Sequence, residues 1–302
     1  GFVSVFYLIV AAIAFGFRKG GQILIARKFG ERNYDFVKKY FYAILIYEFA
    51  LGLIVFLTLK FAARPILSAF VQSEIILSKS LQFLEFRIIG LVFAYVGLAL
   101  VSLYIGIRRP KFILIDTLVL CCVNIWLGYS LVFGKFGLPE MGIAGAGLAS
   151  GISEIVAFVV FVVYMLLDKE IRVFHLLKIP KIEFSWIRTI NSISFNILLQ
   201  SLLGISAWFL FFSFIEKMGE RALAVSNLLR ITYLVLAIPC WGYSTAINTL
   251  VSNAIGKGRS KRVLKLVHHS SLIAFASTAI LSIPFLLFPG VFLEPLLGHH
   301  ET

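Results

Sequence analysis

Apolar residues in this chain come in long unbroken stretches, and short clusters of charge separate one stretch from the next. Eight stretches reach the ~20 residues that an α-helix needs to cross the hydrocarbon core of a bilayer. They fall near 1–26, 38–60, 81–106, 112–133, 142–167, 189–215, 222–251 and 264–293. Continuous runs predict helices, which satisfy their own backbone in lipid, whereas barrel strands would alternate apolar and polar positions. The first run lacks the basic leader and the cleavage site of a signal peptide. The expectation is an all-α polytopic membrane protein with about eight transmembrane helices.

Composition strengthens this reading. Hydrophobic residues make up 60% of the 302 positions and charged residues 14%, with a mean hydropathy of +0.96. A soluble domain carries far more charge. The net charge of +13 would suit a nucleic-acid binder, but its placement points elsewhere. Of the 28 Lys and Arg residues, 18 lie in or beside the loops after the first, third, fifth and seventh spans. The alternate segments hold only six, and Arg18, Lys19, Arg87 and Arg230 lie within spans. This is the positive-inside asymmetry. It predicts a multi-pass protein of the cell inner (plasma) membrane, with the loops after Arg27, Arg108, Asp168 and Gly256 cytoplasmic. The basic charge therefore sets topology beside the lipid bilayer, and no nucleic-acid partner is expected. Cys121, Cys122 and Cys240 sit inside spans as small apolar residues. The pairs His268–His269 and His299–His300 lack further ligands at metal spacing, so neither a metal nor a cofactor is expected.

The chain also repeats itself. Shifted by 226 residues, Gly16 and Gly30 fall on Gly242 and Gly256. Between and beyond them Phe15/Trp241, Phe17/Tyr243, Gln22/Asn248, Leu24/Leu250, Val37/Val263 and Lys39/Lys265 correspond. An internal repeat in a hydrophobic chain predicts a transporter made of two similar bundles, with their interface as the default cavity. Both equivalent loops are basic, so the repeat is direct. The sixth span has no counterpart near the start, and the third to fifth have none near the end. Two six-helix repeats thus predict a parent of about 430 residues, of which this chain is a fragment holding helices 2 to 9 of twelve. The lobes are expected at 1–167 and 189–302, with a cytoplasmic linker at 168–188.

Four stretches then resemble the multidrug and toxin extrusion (MATE) family of secondary transporters. These are Gly16–Gly30, the pair Ile107–Lys111 and Asn124–Tyr129, the glycine-rich Gly137–Ser150, and Met218–Gly256. The resemblance covers almost the whole chain. It implies a two-lobe bundle of six-helix repeats working as a monomer and not as an enzyme. It also implies xenobiotic efflux: H+ or Na+ antiport that exports organic cations or amphipathic drugs by alternating access. The family often has an Asp four residues after the Asn that matches Asn124; here Gly128 takes that place. A Glu used by one branch corresponds to Gly204. The family's usual coupling carboxylates are thus replaced or fall outside the chain.

Ionisable side chains inside a span are expensive and are functional candidates by default. Glu154 shares its span with Gly142, Gly145, Gly147 and Gly151, small residues that let a neighbouring backbone approach closely. It is expected either to bind a proton or cationic substrate, or to hydrogen-bond to a neighbouring helix. Glu48 has no partner nearby in sequence, and Arg18 or Lys19 could pair with it. Asn124, which can coordinate through its carbonyl oxygen, is a candidate to bind the ion or substrate with Arg230, Gln200 and Arg18. Arg18 and Lys19 point about 100° apart on one helix and cannot share a partner. Glu85 and Arg87 point away from each other and read as structural. Asp116 stands one turn into its span near Arg108, Arg109 and Lys111, which would hold its charge. Pro239 removes a backbone bond in mid-span, and with Gly242 it is the candidate hinge. A lipid-linked oligosaccharide flippase of the same superfamily is the competing function, kept open by Arg18, Lys19 and Arg230. An inactive fragment is the other alternative.

Overall fold

The computed structural model describes residues 2–68, 74–181, 183–288, 290 and 291. Within these, side chains are described from residue 14 onward, other than 205, 209, 213, 216, 217, 220, 221, 223 and 224. The described residues form helices and turns without a strand. In order they are α1 (Phe2–Gly30), α2 (Tyr34–Ser68), α3 (Glu74–Arg87), α4 (Leu91–Gly106), α5 (Lys111–Phe133), α6 (Gly142–Leu167), α7 (Phe184–Lys217), α8 (Glu220–Gly256) and α9 (Val263–Leu287). Among the described residues, seven segments are long and apolar enough to cross a membrane. They match the expected spans from the second onward. The first expected span coincides with α1, a 29-residue helix.

The third expected span, 81–106, is longer and less regular than its apolar run. Its helix starts at Glu74, because Glu74, Ser78, Lys79 and Ser80 are polar without being helix breakers. A 3-10 turn at Ile88–Gly90 then separates α3 from α4. Tightening of this kind inside a helix marks strain or a hinge. Here it coincides with close packing: a Cβ on Gly90 would collide with the backbone oxygen of Gly151 in α6.

The chain divides into two compact units, Gly1–Leu198 and Leu199–Thr302. In the first, α1, α2 and α4 bury Ile25, Val37, Ile44, Leu100, Leu103 and Tyr104. The turn after α6 packs onto the same core through Ile171 and Phe174, and the start of α7 adds Trp186 and Ile190. Glycines set how closely α6 approaches its neighbours. A Cβ on Gly147 would meet the Phe83 carbonyl oxygen, and one on Gly151 would lie 3.1 Å from that of Phe86. On the α5 side, a Cβ on Gly145 would stand 2.6 Å from the Leu131 oxygen.

In the second unit α8 lies along α9. Side-chain hydrogen bonds bridge the two helices: the Tyr243 and Ser277 hydroxyls at 3.1 Å, and the Cys240 thiol with the Thr278 hydroxyl at 3.3 Å. Trp208 on α7 stacks on Phe212 and meets Tyr233 of α8 at 5.6 Å. Both repeat segments end their helices at equivalent points, α1 at Gly30 and α8 at Gly256.

Candidate functional site

The first unit buries charge in two places. Between α3 and α6, Arg87 donates two hydrogen bonds to the two carboxylate oxygens of Glu154, at 2.5 and 2.6 Å. Both side chains are largely buried. The planar guanidinium fork matches a carboxylate, which makes this geometry strong and specific. The glycines of α6 bring the two helices close enough for the pair to form. Glu85, two positions before Arg87, is exposed, so the two do point apart. Sequence reading singled out Glu154 but did not pair it with Arg87, because 67 residues separate them.

The second place lies on α1 and α2. Glu48 is fully buried, and among the described residues neither carboxylate oxygen has a hydrogen-bond partner. Arg18 of α1 acts on it electrostatically, but no ion pair joins the two. The Arg18 guanidinium lies over the Phe15 ring, 5.5 Å from its centroid, and among the described residues its buried Nε has no acceptor. Gln22, one turn further along α1, is fully buried as well. On another flank Gly20 packs directly on Ser194 of α7, whose buried hydroxyl is without a partner among the described residues. Ser102 donates a 2.6 Å hydrogen bond to the Arg18 carbonyl oxygen. Buried polar groups are almost always paired. A bare carboxylate in this position therefore calls for a proton, a cation or water.

Phe15 connects this cluster to a cavity of about 300 Å³ between α1, α4, α5 and α6. Phe15, Phe93, Tyr95, Phe158 and Phe161 supply aromatic walls, and Glu154 and Asp116 supply carboxylates. Asp116 departs from the sequence expectation. Arg109 is committed to Asp168 at 2.8 Å and to Glu170 at 3.2 Å. Asp116 instead lines the cavity, and its buried Oδ1 has no partner among the described residues. The helical period could have shown that Asp116 shares a face with Leu120, which also lines the cavity. It could not show which neighbour that face meets.

The remaining candidates lie elsewhere. The Asn124 amide donates to Ser150 at 3.1 Å and Ser153 at 3.3 Å, joining α5 to α6. Among the described residues nothing lies within 4 Å of a Cβ placed on Gly128 or Gly204. In the second unit Gln200 is exposed, and Arg230 lies over Phe212 at 5.0 Å. Pro239 and Gly242 stand inside the continuous α8. His269 reaches its own helix at the Lys265 carbonyl oxygen, 2.9 Å away. His299–His300 lies outside the described residues.

Comparison with known proteins gives this arrangement a context. The sequence pattern of the MatE family matches residues 1–130 and 193–301. A probable multidrug resistance protein, YoeA of Bacillus subtilis, is 24% identical over 309 residues, covering the whole chain and 65% of YoeA. A probable multidrug resistance protein, NorM of Photorhabdus laumondii, is 30% identical over 178 residues, covering 57% of this chain and 38% of NorM. A MOP superfamily transporter from Pyrococcus furiosus superposes with a TM-score of 0.83 at 18% identity, over 98% of this chain and 65% of that one. An outward-facing multidrug resistance MATE transporter gives the same score over 97% of this chain. The chain thus spans about 65% of the length of YoeA and of the solved transporters. On its sequence pattern, with the fold in agreement, the chain belongs to the MatE family.

Proposed function

We propose that the protein to which this chain belongs is a secondary transporter rather than an enzyme. In this reading it exchanges H+ or Na+ for amphipathic or cationic small molecules by alternating access between two lobes. The lobes correspond to 1–167 and 189–302, joined by 168–188, and the basic loops face the cytoplasm. One observation carries the coupling: Glu48 is fully buried, and among the described residues both its carboxylate oxygens are unpartnered, beside an Arg18 that is not bonded to it.

An ionised carboxylate so placed costs several kcal/mol unless it is compensated. Two compensated states are available to it. With a proton or a monovalent cation on Glu48, Arg18 rests over Phe15. Without the ion, Arg18 swings to Glu48. Because Phe15 is also a wall of the aromatic cavity, the swing changes the surface that a substrate touches. A flat organic cation would lie against Phe93, Tyr95 and Phe158 with its charge toward Asp116, favoured by dispersion and cation–π attraction. Ion binding then favours one state of the lobe and substrate binding the other, which is antiport by population shift. Asn124 holds α5 to α6, and the Arg87–Glu154 pair holds α3 to α6, while α1 moves.

The test is ethidium efflux from an efflux-deficient bacterial strain expressing the protein at its native length. Wild type is expected to extrude ethidium, with loss on adding a protonophore or on removing sodium according to the coupling ion. Glu48→Gln is expected to reach wild-type levels in the membrane without extruding. Undiminished efflux by that variant would remove Glu48 from the mechanism.

A further inference from the structure

The segment between α6 and α7 forms a built pocket rather than a loose connection. Asp168 accepts two hydrogen bonds from Arg109, at 2.8 and 3.0 Å, and caps the following 3-10 turn through the Glu170 amide at 3.0 Å. Burial opposes the charge of Arg109, but Asp168 and Glu170 together raise its pKa. Phe174 packs edge-on against Tyr34 at 5.3 Å, and the Tyr42 hydroxyl donates to the Leu176 carbonyl. His175 takes a left-handed turn, with φ of 47°, and reverses the chain. The result is a cavity of about 380 Å³ walled by Met165, Leu166, Arg172, His175, Leu177 and Lys178, with Asp168 at its edge.

Two properties of this cavity stand together. Its acid is spent on Arg109, whereas Arg172 and Lys178 have no ion-pair partner among the described residues. Beside these cations the apolar side chains of Leu177, Ile179 and Phe184 are 81%, 72% and 79% exposed. Free cations next to exposed aliphatic and aromatic groups are the mark of a segment lying in a membrane interface. The segment is tethered on both sides to membrane-crossing helices, so a bilayer surface is always within reach. We propose that this pocket binds the headgroup of an anionic phospholipid. Arg172 and Lys178 take the phosphate, the His175 ring closes the rim, and Leu177 and Ile179 lie among the first acyl methylenes. Such a site would fix the depth of the α6–α7 connection in the membrane.

The experiment uses the full chain purified in detergent and needs no transport activity. Dioleoyl-phosphatidylglycerol, dioleoyl-phosphatidylcholine and inorganic phosphate are titrated separately, and retention is read by native mass spectrometry. Phosphatidylglycerol is expected to be retained in preference to phosphatidylcholine. A basic side chain near an anionic surface contributes about fivefold. The double variant Arg172→Gln/Lys178→Gln is therefore expected to weaken phosphatidylglycerol binding about thirty-fold. The charge-preserving pair Arg172→Lys/Lys178→Arg should keep it, which separates lost charge from lost fold. Leu177→Ser should weaken the lipid a few-fold. Equal retention of the two lipids, unchanged affinity in the double glutamine variant, or binding of phosphate without the lipid would each overturn the proposal.

Discussion

Helices α1 and α8 carry the two copies of the internal repeat, and they solve the same problem differently. Both end at the second glycine of the repeat, and both keep its apolar frame. Within that frame α1 has Arg18 and Lys19 where α8 has Ser244 and Thr245. The hydroxyls of α8 turn back on their own helix: Thr245 donates to the Trp241 carbonyl at 3.1 Å, Ser252 to that of Asn248 at 2.6 Å. A short polar side chain can be satisfied four residues away in its own helix. A guanidinium has five donors and a full charge, and needs partners from elsewhere. Among the described residues, buried ionic groups accordingly gather in the first unit, with Glu48 and the Arg87–Glu154 pair. Two copies of one apolar frame can thus hold different electrostatics, with the buried charge concentrated beside one of them.

The most severe way to break this contrast is to strip a charge of its partner. Arg87→Ala would leave Glu154 buried and unpaired, and a loss of about 3–5 kcal/mol is expected. Thermal unfolding in detergent would show it. The double change Arg87→Met/Glu154→Leu should recover most of that loss, and a double variant as unstable as the single one would mean that the pair is not the cause. Gly147→Leu comes next, because no side chain fits against the Phe83 carbonyl. Overpacking of about 1–3 kcal/mol is expected, together with loss of the Arg87–Glu154 geometry.

Arg18→Ser converts α1 toward α8 at one position and should destabilise the first unit, since an ionised Glu48 would then have no cation to turn to. In combination with Glu48→Gln the loss should shrink, giving a coupling of about 0.5–3 kcal/mol in a double-mutant cycle. Additive losses would show that the two side chains do not sense each other. On the α8 side, Tyr243→Phe removes one helix-bridging hydrogen bond, with an expected loss of about 0.5–1.5 kcal/mol. The smallest effect belongs to Gly128→Asp. The position is open, so stability should change by about 0.5 kcal/mol or less, and any change in ion dependence of efflux would report a carboxylate regained beside Asn124.

Much of the architecture was legible before any coordinates. Runs of apolar residues showed where the helices lie, because a membrane-crossing segment must be apolar along its whole length. The glycine series of α6 foretold close packing, since only a missing side chain admits a neighbouring backbone. Ionisable residues within spans were likewise visible as costly and therefore notable. The helical extension at 74–80 was not legible, because polarity there hid a helix that apolarity alone could not mark. In the sequence Asp116 stands near Arg108, Arg109 and Lys111, but its helix carries it to the cavity and Arg109 turns to Asp168. The charged 168–188 segment has the composition of a linker, which does not reveal that Ile171, Phe174 and Trp186 pack into the core of the first unit.

The sequence by itself determined the helical, membrane-embedded class of this protein, its internal repeat and its family resemblance. These are properties of hydrophobic run length and spacing, which are local or periodic. Only the tertiary structure decided which charges meet: that Glu154 is held by Arg87, that Glu48 is not held by Arg18, and that Asp116 faces an aromatic cavity. Pairing depends on which helix faces are pressed together across tens of intervening residues, and no local pattern along the chain encodes that.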